Sequence, residues 1–454
     1  MKKALILCII LVILSGTLVV SAAGLVDKEK ESIVITQQTL RGDQQAAEGW
    51  QLETVSHCGY KLNWTTTFAA DDTGAATTVF CFKPEGEFTR PVDRKDEVTL
   101  YTETGFGVGG NVNLSGVAHS DVFREIAQRT SAGETRTEQI SLEDYYTYYP
   151  LTLTLDGKYI LDIRAFDEVE ESKALQDVIQ IPVHSQEKLE MSVSKNKDGQ
   201  IVSIECNSVD GWMETNTHGV FPEEGCYFVC TPTYWDGEAT THIAGAQNAI
   251  YYMPIRLTQS REMVGFDQIF KVYELQEDCI AVDMQMDQAG NLLLLTKEND
   301  LLVLNVYEPL EQEGELKKLH TTELIPMEED YYDRMTMTQG STLITLSSGA
   351  FCLLTSQGKG DYEVTLRGKL DPDGELCKHL LEYETFAYDG KRLAIASYEA
   401  GGLPDNSIYL AVYGEKGLEY VGFYHHSGDL SSSGSDWYLL MGYRNKENLK
   451  LWKE

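Results

Sequence analysis

Cations are in short supply in this sequence. It carries 37 Lys and Arg against 71 Asp and Glu, a net charge of −34 at pH 7. Neutralising nucleic-acid phosphates takes clustered Lys and Arg, so a generic nucleic-acid-binding surface is excluded. Proline is scarce, 11 in 454 residues. Beyond the first two dozen residues no apolar run approaches the length of a membrane helix. Also missing are a Gly-x-Ser-x-Gly nucleophile elbow and an ordered Asp-rich calcium loop. What is present is ordinary for a folded chain: 42% hydrophobic and 24% charged residues, with 38 glycines and 25 tyrosines. That mix suits β-sheet surfaces rather than a disordered acidic tail.

The N-terminus has three parts. Met1-Lys2-Lys3 is a short positive region, Ala4 to Val20 is apolar, and Ser21-Ala22-Ala23 offers small residues at a cleavage site. This pattern predicts a secretory signal over 1–23, cut after Ala23, and a secreted or extracytoplasmic protein with no membrane span after cleavage. The alternative is an uncleaved anchor that leaves the protein on the cell surface. Cys8 follows Leu7 in mid-run, which excludes a lipoprotein signal. Eight cysteines remain, namely Cys58, Cys81, Cys206, Cys226, Cys230, Cys279, Cys352 and Cys377. An even number in an exported chain permits disulfides, while their apolar, strand-like surroundings suit buried free thiols equally well.

Residues 24–49 are polar and read as a linker. From Trp50 onward short β-rich runs dominate, and residues 50–187 are expected to form a β-rich N-terminal domain, either a β-sandwich or further blades. Lys61 to Phe68 and Ala75 to Phe82 flank the turn signal Asp71-Asp72-Thr73-Gly74 and predict a hairpin. Ser120 to Ala127 predicts a short helix, and Ser141-Leu-Glu-Asp144 resembles a capping box.

The last third repeats. Gln288-Ala-Gly290-Asn-Leu-Leu-Leu-Leu, Thr338-Gln-Gly340-Ser-Thr-Leu-Ile-Thr and Tyr388-Asp-Gly390-Lys-Arg-Leu-Ala-Ile place glycines at 290, 340 and 390, 50 residues apart. Each opens a strand, with one strand predicted before it and two after. At the C-terminus only Trp437 to Tyr443 and Leu449 to Trp452 remain, so strands from the N-terminal part are expected to complete the last sheet and remove its edge. Four antiparallel strands per 40 to 50 residues resemble the β-propeller superfamily, in the loose sense shared by WD40-like and quinoprotein-like repeats. The resemblance implies an all-β fold with a propeller over 188–454. It implies architecture only, since propellers host both enzymes and binding scaffolds.

Several constellations suggest chemistry and lose to simpler readings. Gly105-Phe-Gly-Val-Gly-Gly110 matches a dinucleotide fingerprint, but no helix or acidic partner follows, and it reads as a glycine loop. Cys226 and Cys230 with His218 and His242 suggest zinc. Strand residues four apart lie about 13 Å from each other, too far for two thiolates on one metal. His425-His426 beside Ser427-Gly-Asp429 and Ser431 to Asp436 reads as a polar loop, and Ser192 to Lys195 matches Ser-x-x-Lys only by spacing. Glu328-Glu-Asp330 and Asp167 to Glu171 read as solvated loops. Aromatic residues are more suggestive. Tyr234-Trp235-Asp236-Gly237 reads as a turn, where a Trp has no core to enter, and Trp212 follows Asp210-Gly211. Tyr145 to Tyr149 is a similar cluster. Exposed rings beside carboxylates can stack on sugars or grip a peptide. Trp212, Tyr234, Trp235 and Asp236 are therefore the candidate ligand-binding residues, with no catalytic residue, no metal and no cofactor expected. The function expected is a non-catalytic extracytoplasmic binding or scaffold protein for a protein or glycan ligand. The alternative is a propeller enzyme, a glycoside hydrolase or lyase, acting on extracellular glycans.

Overall fold

In the computed structural model the glycines at 290, 340 and 390 have φ of +86°, +80° and +90°. Beyond their chain neighbours, no atom of the described residues lies within 4 Å of where their side chains would begin. The backbone conformation, rather than lack of room, is therefore what calls for glycine. Each turn leads into a strand flanked on both sides within its sheet: Leu292–Glu298, Ser341–Leu346 and Leu393–Tyr398. Leu292, Leu294, Leu343, Leu393 and Ile395 are fully buried. The structure describes residues 10–18, 20–21, 24 and 34–453, without 59–61, 83–96, 103, 158–159, 166–177, 223–224, 255, 258–262, 265–267, 310–313, 328–329, 339, 399–406 and 427–445.

The chain forms two compact units. The first holds Met1–Pro91, Glu329–Thr355 and Glu363–Glu454, the second Val92–Glu328 and Ser356–Tyr362. Within the first, Tyr383–Tyr388, Leu393–Tyr398, Ile408–Gly414 and Gly417–His426 form a four-stranded antiparallel blade in sequence order. Strand alternation splits its residues between two cores. Leu393, Ile395, Tyr409, Ala411 and Tyr413 pack with Leu343, Phe351 and Leu353 of the preceding sheet. Ala394, Ala396, Ile408, Leu410 and Val412 pack with Trp50, Leu52, Phe68 and Leu451. A strand covered on both faces needs a continuous apolar run, which is what Leu393–Tyr398 and Ile408–Gly414 supply. Each such Leu or Ile contributes about 1.5–3 kcal/mol by burial.

The C-terminal strand Lys446–Lys453 pairs antiparallel with Trp50–Cys58, which continues into Leu62–Ala69 and Thr77–Phe82. The last sheet is thus completed by N-terminal strands, as the sequence implied. Lys453 seals it, donating to Asp389 at 2.5 Å and lying 5.1 Å from the Trp50 ring centre. The strand expected over 437–443 lies outside the described residues. Part of the expected 24–49 linker is ordered. Ile35–Gly42 pairs with Gly417–His426 as a fifth strand, and the short 3-10 helix Gln44–Ala47 buries Ala46 and Ala47. The reason is local: an otherwise open sheet edge offers backbone partners to a polar strand that composition alone marks as a spacer. Residues 10–18 are helical, and the large apolar side chains of Ile10, Leu11, Val12, Ile13, Leu14 and Leu18 are exposed. No helix among the described residues is long and apolar enough to cross a membrane.

In the second unit Ile280–Met286, Leu292–Glu298, Leu301–Glu308 and Lys317–Pro326 form one blade sheet. Thr217–Val220, Cys226–Cys230, Ala249–Met253 and Phe270–Glu274 form another. Alternation again divides the strands: Tyr227 and Val229 face the first of these sheets, while Cys226, Phe228 and Cys230 face a second core. That core takes in the sheet of Glu97–Tyr101, Thr152–Gly157 and Ile160–Ala165. It also takes in a four-stranded sheet ordered Phe106–Gly109, Ile201–Val209, Lys188–Lys195, Thr135–Ser141. Neither the Thr135–Ser141 pairing with Lys188–Lys195 nor the Trp50–Lys446 sheet respects position 187. Part of the glycine-rich 105–110 segment is an antiparallel edge strand instead of a loop. Helix Ser120–Arg129 buries Val122, Phe123, Ile126 and Ala127 on one stripe. Ser141 makes no cap bond, so the expected capping box is a single 3-10 turn, Leu142–Asp144. Cys206, Cys230, Cys279 and Cys352 are buried free thiols, Cys226 is buried, and Cys377 is a partly exposed free thiol.

Candidate functional site

The Asp210-Gly211-Trp212 turn and the Tyr234-Trp235-Asp236 segment come together as neighbouring strands of one small sheet. Trp212–Glu214 pairs with Thr233–Trp235, which pairs with Thr240–His242. Trp212 stands opposite Trp235, Met213 opposite Tyr234, and Glu214 opposite Thr233. Alternate residues point to opposite faces, so this register sends both tryptophans one way and Tyr234 the other. The indoles touch with ring centres 4.2 Å apart and planes tilted by 42°. Trp212 is 40% exposed, and its Nε1 donates to Glu214 Oε1 at 3.1 Å. Trp235 is half-buried and Glu214 exposed.

Asp236 closes the turn after Trp235. Its Oδ1 accepts the Ala239 amide at 2.8 Å and the Glu238 amide at 3.0 Å. Those amides, Ala239 first, hold the exposed carboxyl below its ordinary range, so it is ionised at neutral pH. Gly211 makes the close approach possible. A Cβ there would sit 2.5 Å from the Trp235 carbonyl oxygen and 2.6 Å from the Tyr234 hydroxyl.

Tyr234 differs from the other three candidates. It is 1% exposed, and its ring stacks on His184 at 3.8 Å, so it supports the platform from below. Sequence reading as a turn fails there because the segment is a strand, and a strand must send every second residue inward.

Beneath Tyr234 lies a group that the sequence did not flag. Glu187 has no exposed surface, and its Oε1 has no hydrogen-bond partner among the described residues. Its Oε2 accepts the Tyr149 hydroxyl at 3.4 Å, and that hydroxyl in turn accepts the His184 amide at 3.1 Å. Burial pushes the Glu187 carboxyl up to about 7, against the opposing pull of the Tyr149 and Ser208 hydroxyls. Burial also lowers the His184 imidazole, partly offset by Asp236, and raises the Tyr234 phenol to about 12. The one sequence signal for this cluster was the tyrosine run, from which Tyr149 alone is fully buried. Tyr145 instead reaches Glu125 at the surface, and Tyr146 pairs with His119.

The remaining candidates disperse. Cys226 and Cys230 lie inside the apolar core. Among the described residues no three of His, Cys, Asp and Glu are placed to hold a metal ion. Ser192 and Lys195 are strand residues, with Lys195 donating to the Thr130 carbonyl. His425 and His426 end a strand, and His425 Nδ1 lies 3.2 Å from Ser407 Oγ. Residues 427–436 and 167–171 lie outside the described residues. Asp330 is bound to Ser347 and to the Tyr331 and Ser348 amides, as a turn brace and not a freely solvated group.

No family model matches the chain, and no curated protein matches it. Solved structures do. A protein from Lactobacillus plantarum is similar at 7% identity over 64% of this chain and 99% of that one, with a TM-score of 0.25. The β-propeller domain of Cps50 (Swd1) from Myceliophteria thermophila is similar at 7% identity over 54% and 95%, TM-score 0.21. Virginiamycin B lyase from Staphylococcus aureus is similar at 11% identity over 64% and 99%, TM-score 0.19. At these scores the likeness adds nothing to the functional reading. The all-β, propeller-type architecture rests on the repeated four-stranded sheets themselves.

Proposed function

We propose that the protein is an exported, non-catalytic recognition module, secreted or held at the cell surface, that binds a protein or glycan ligand through the Trp212–Trp235 face. The carrying observation is the indole pair, in contact across two strands with Trp212 40% exposed and bonded to Glu214. Large rings left at a surface are the usual anchors of recognition, and a rigid sheet holds them at little entropic cost. Tyr234 serves this role indirectly, by packing under the platform. Residues 1–23 are removed on export under this reading, so N-terminal sequencing of the native protein is expected to begin at Gly24.

The test is a binding screen on the full chain against neutral glycans, cationic peptides and anionic wall polymers. A ligand whose affinity falls sharply on combining Trp212→Ala with Trp235→Ala supports the reading. Tight binding of the anionic class, or wild-type affinity in that variant, defeats it. The rival is a glycan-acting enzyme, and Glu187 is what favours it, since a carboxyl shifted to about 7 suits general acid work. Its complete burial supports the binding reading instead, because a catalytic acid has to reach its substrate. Glycan turnover that disappears in Glu187→Gln would replace recognition with catalysis.

A further inference from the structure

Around the indole pair the chain has a marked charge bias. From Gln200 to Ile255 the sequence has seven Asp and Glu and no Lys or Arg. One of those carboxylates, Glu214, lies against an indole, and two more, Asp210 and Asp236, border the tryptophan strands in sequence. Glu214 shares their face and accepts from Trp212 Nε1, Asp210 precedes the Trp212 strand in an exposed left-handed turn at φ +64°, and Asp236 follows Trp235. Indole faces attract cations through the ring quadrupole, and a guanidinium stacks on them while keeping its edge donors for carboxylates. A sugar's hydroxyls can also donate to these carboxylates, but a neutral sugar gains nothing from their charge, whereas a guanidinium gains from the charge and from the ring face together.

Resting on the recognition reading above, we infer that the Trp212–Trp235 face binds an arginine-bearing peptide segment of a protein partner. An arginine stacks on the exposed indole, and its guanidinium edge donates to Glu214, which shares the indole face. A small free cation fits the site less well. Trp212 is open to solvent, and an unenclosed ring pair holds a lone cation weakly, whereas successive arginines of a peptide engage the dispersed carboxylates together.

The test titrates the full chain with a peptide alternating glycine and arginine, with its twin carrying citrulline, the neutral isostere of arginine, and with maltoheptaose. Because a chain of net charge −34 attracts any polycation, dependence on the tryptophans decides. The arginine peptide is expected to bind at least about tenfold more tightly than the citrulline twin. That preference is expected to vanish on combining Trp212→Ala with Trp235→Ala, and in Glu214→Lys, an exposed substitution that keeps both rings. Equal affinity for the two peptides overturns the inference. So does arginine binding undiminished in either variant, and should the tryptophan variant fail to fold, Glu214→Lys alone decides. Tryptophan-dependent binding of maltoheptaose without an arginine preference overturns the inference and leaves recognition standing. No tryptophan-dependent binding of any of the three removes both.

Discussion

Asp371, in the first unit, and Glu187, in the second, are both carboxylates without exposed surface. Asp371 accepts from Arg41 Nη1 at 2.6 Å and from the Leu376 and Asp373 amides at 2.5 and 3.2 Å. Glu187 has a long bond from Tyr149 and the pull of the Ser208 hydroxyl, and its Oε1 has no hydrogen-bond partner among the described residues. Burial works against ionisation of Asp371, but the Leu376 amide and Arg41 outweigh it and hold the group below its ordinary range. At Glu187 burial wins and the carboxyl rises to about 7. The supply of donors, more than depth, sets the direction. Asp371 is a strut that ties the Ile35–Gly42 strand to the loop before Cys377–Leu381. Glu187 is a group kept under-supplied beneath the indole platform, at a cost in stability.

The two carboxylates should therefore respond to substitution with opposite signs. Asp371→Asn is expected to lose about 3–4 kcal/mol at neutral pH, towards the low side for breaking a buried pair because Arg41 keeps 29% of its side-chain surface. The lowered native pKa supplies stability above the ordinary Asp range and loses it as pH falls through the native value. The deficit of the variant should shrink into acid, as read from urea midpoints at neutral and acid pH. A deficit independent of pH would mean that Asp371 acts by packing and not by charge.

Glu187→Gln should do the reverse. A native pKa of about 7 against an ordinary 4.5 means that the folded state is penalised by ionisation. The penalty is absent below pH 4.5, grows between 4.5 and 7, and levels off at about 3 kcal/mol. The variant is expected to be more stable than the parent above pH 7 by about that amount and equal to it in acid. Denaturant midpoints across that window check this. A variant less stable at pH 8 would show that Glu187 is ionised and paired in the native state.

Gly211→Ala sharpens the comparison at the platform itself. The added Cβ meets the Trp235 carbonyl and the Tyr234 hydroxyl, so the short sheet has to open, at a cost of about 2 kcal/mol. The same change should redshift tryptophan emission as the indoles separate. Loss of stability with unaltered emission would mean that the sheet yields elsewhere.

What the sequence revealed follows from the same physics. The repeats were legible because a strand covered on both faces needs an unbroken apolar run, and Leu292 to Leu295 or Leu393 to Ile395 after a positive-φ glycine has few other readings. The last sheet was legible because its strand deficit was visible. Ile35–Gly42 was not, since an edge strand that buries little carries no apolar signature. Trp212 and Trp235 were singled out separately, but cross-strand register over 23 positions is invisible in one sequence. Tyr234 and Trp235 could have been told apart, because adjacent strand residues cannot both face outward. Glu187 had no signal at all: nothing local distinguishes a Glu that the fold later seals beneath Tyr149 and His184.

The smallest expected effect on stability falls where the expected effect on binding is most specific. Glu214 is exposed, and its Oε1 accepts from Trp212 Nε1. Glu214→Gln keeps an oxygen acceptor for that indole and removes only the charge. Exposed charges contribute little to folding, so the stability change should stay within about 0.5 kcal/mol. Binding of the arginine peptide should nevertheless weaken several-fold and become less sensitive to salt, since one carboxylate fewer faces the guanidinium and the remaining stacking is not screened. Titrations at low and high ionic strength, alongside a denaturant curve for the same variant, separate the two quantities. If affinity and salt dependence both stay at wild-type values, the carboxylate beside the rings plays no part and the charge bias of this stretch serves only solubility.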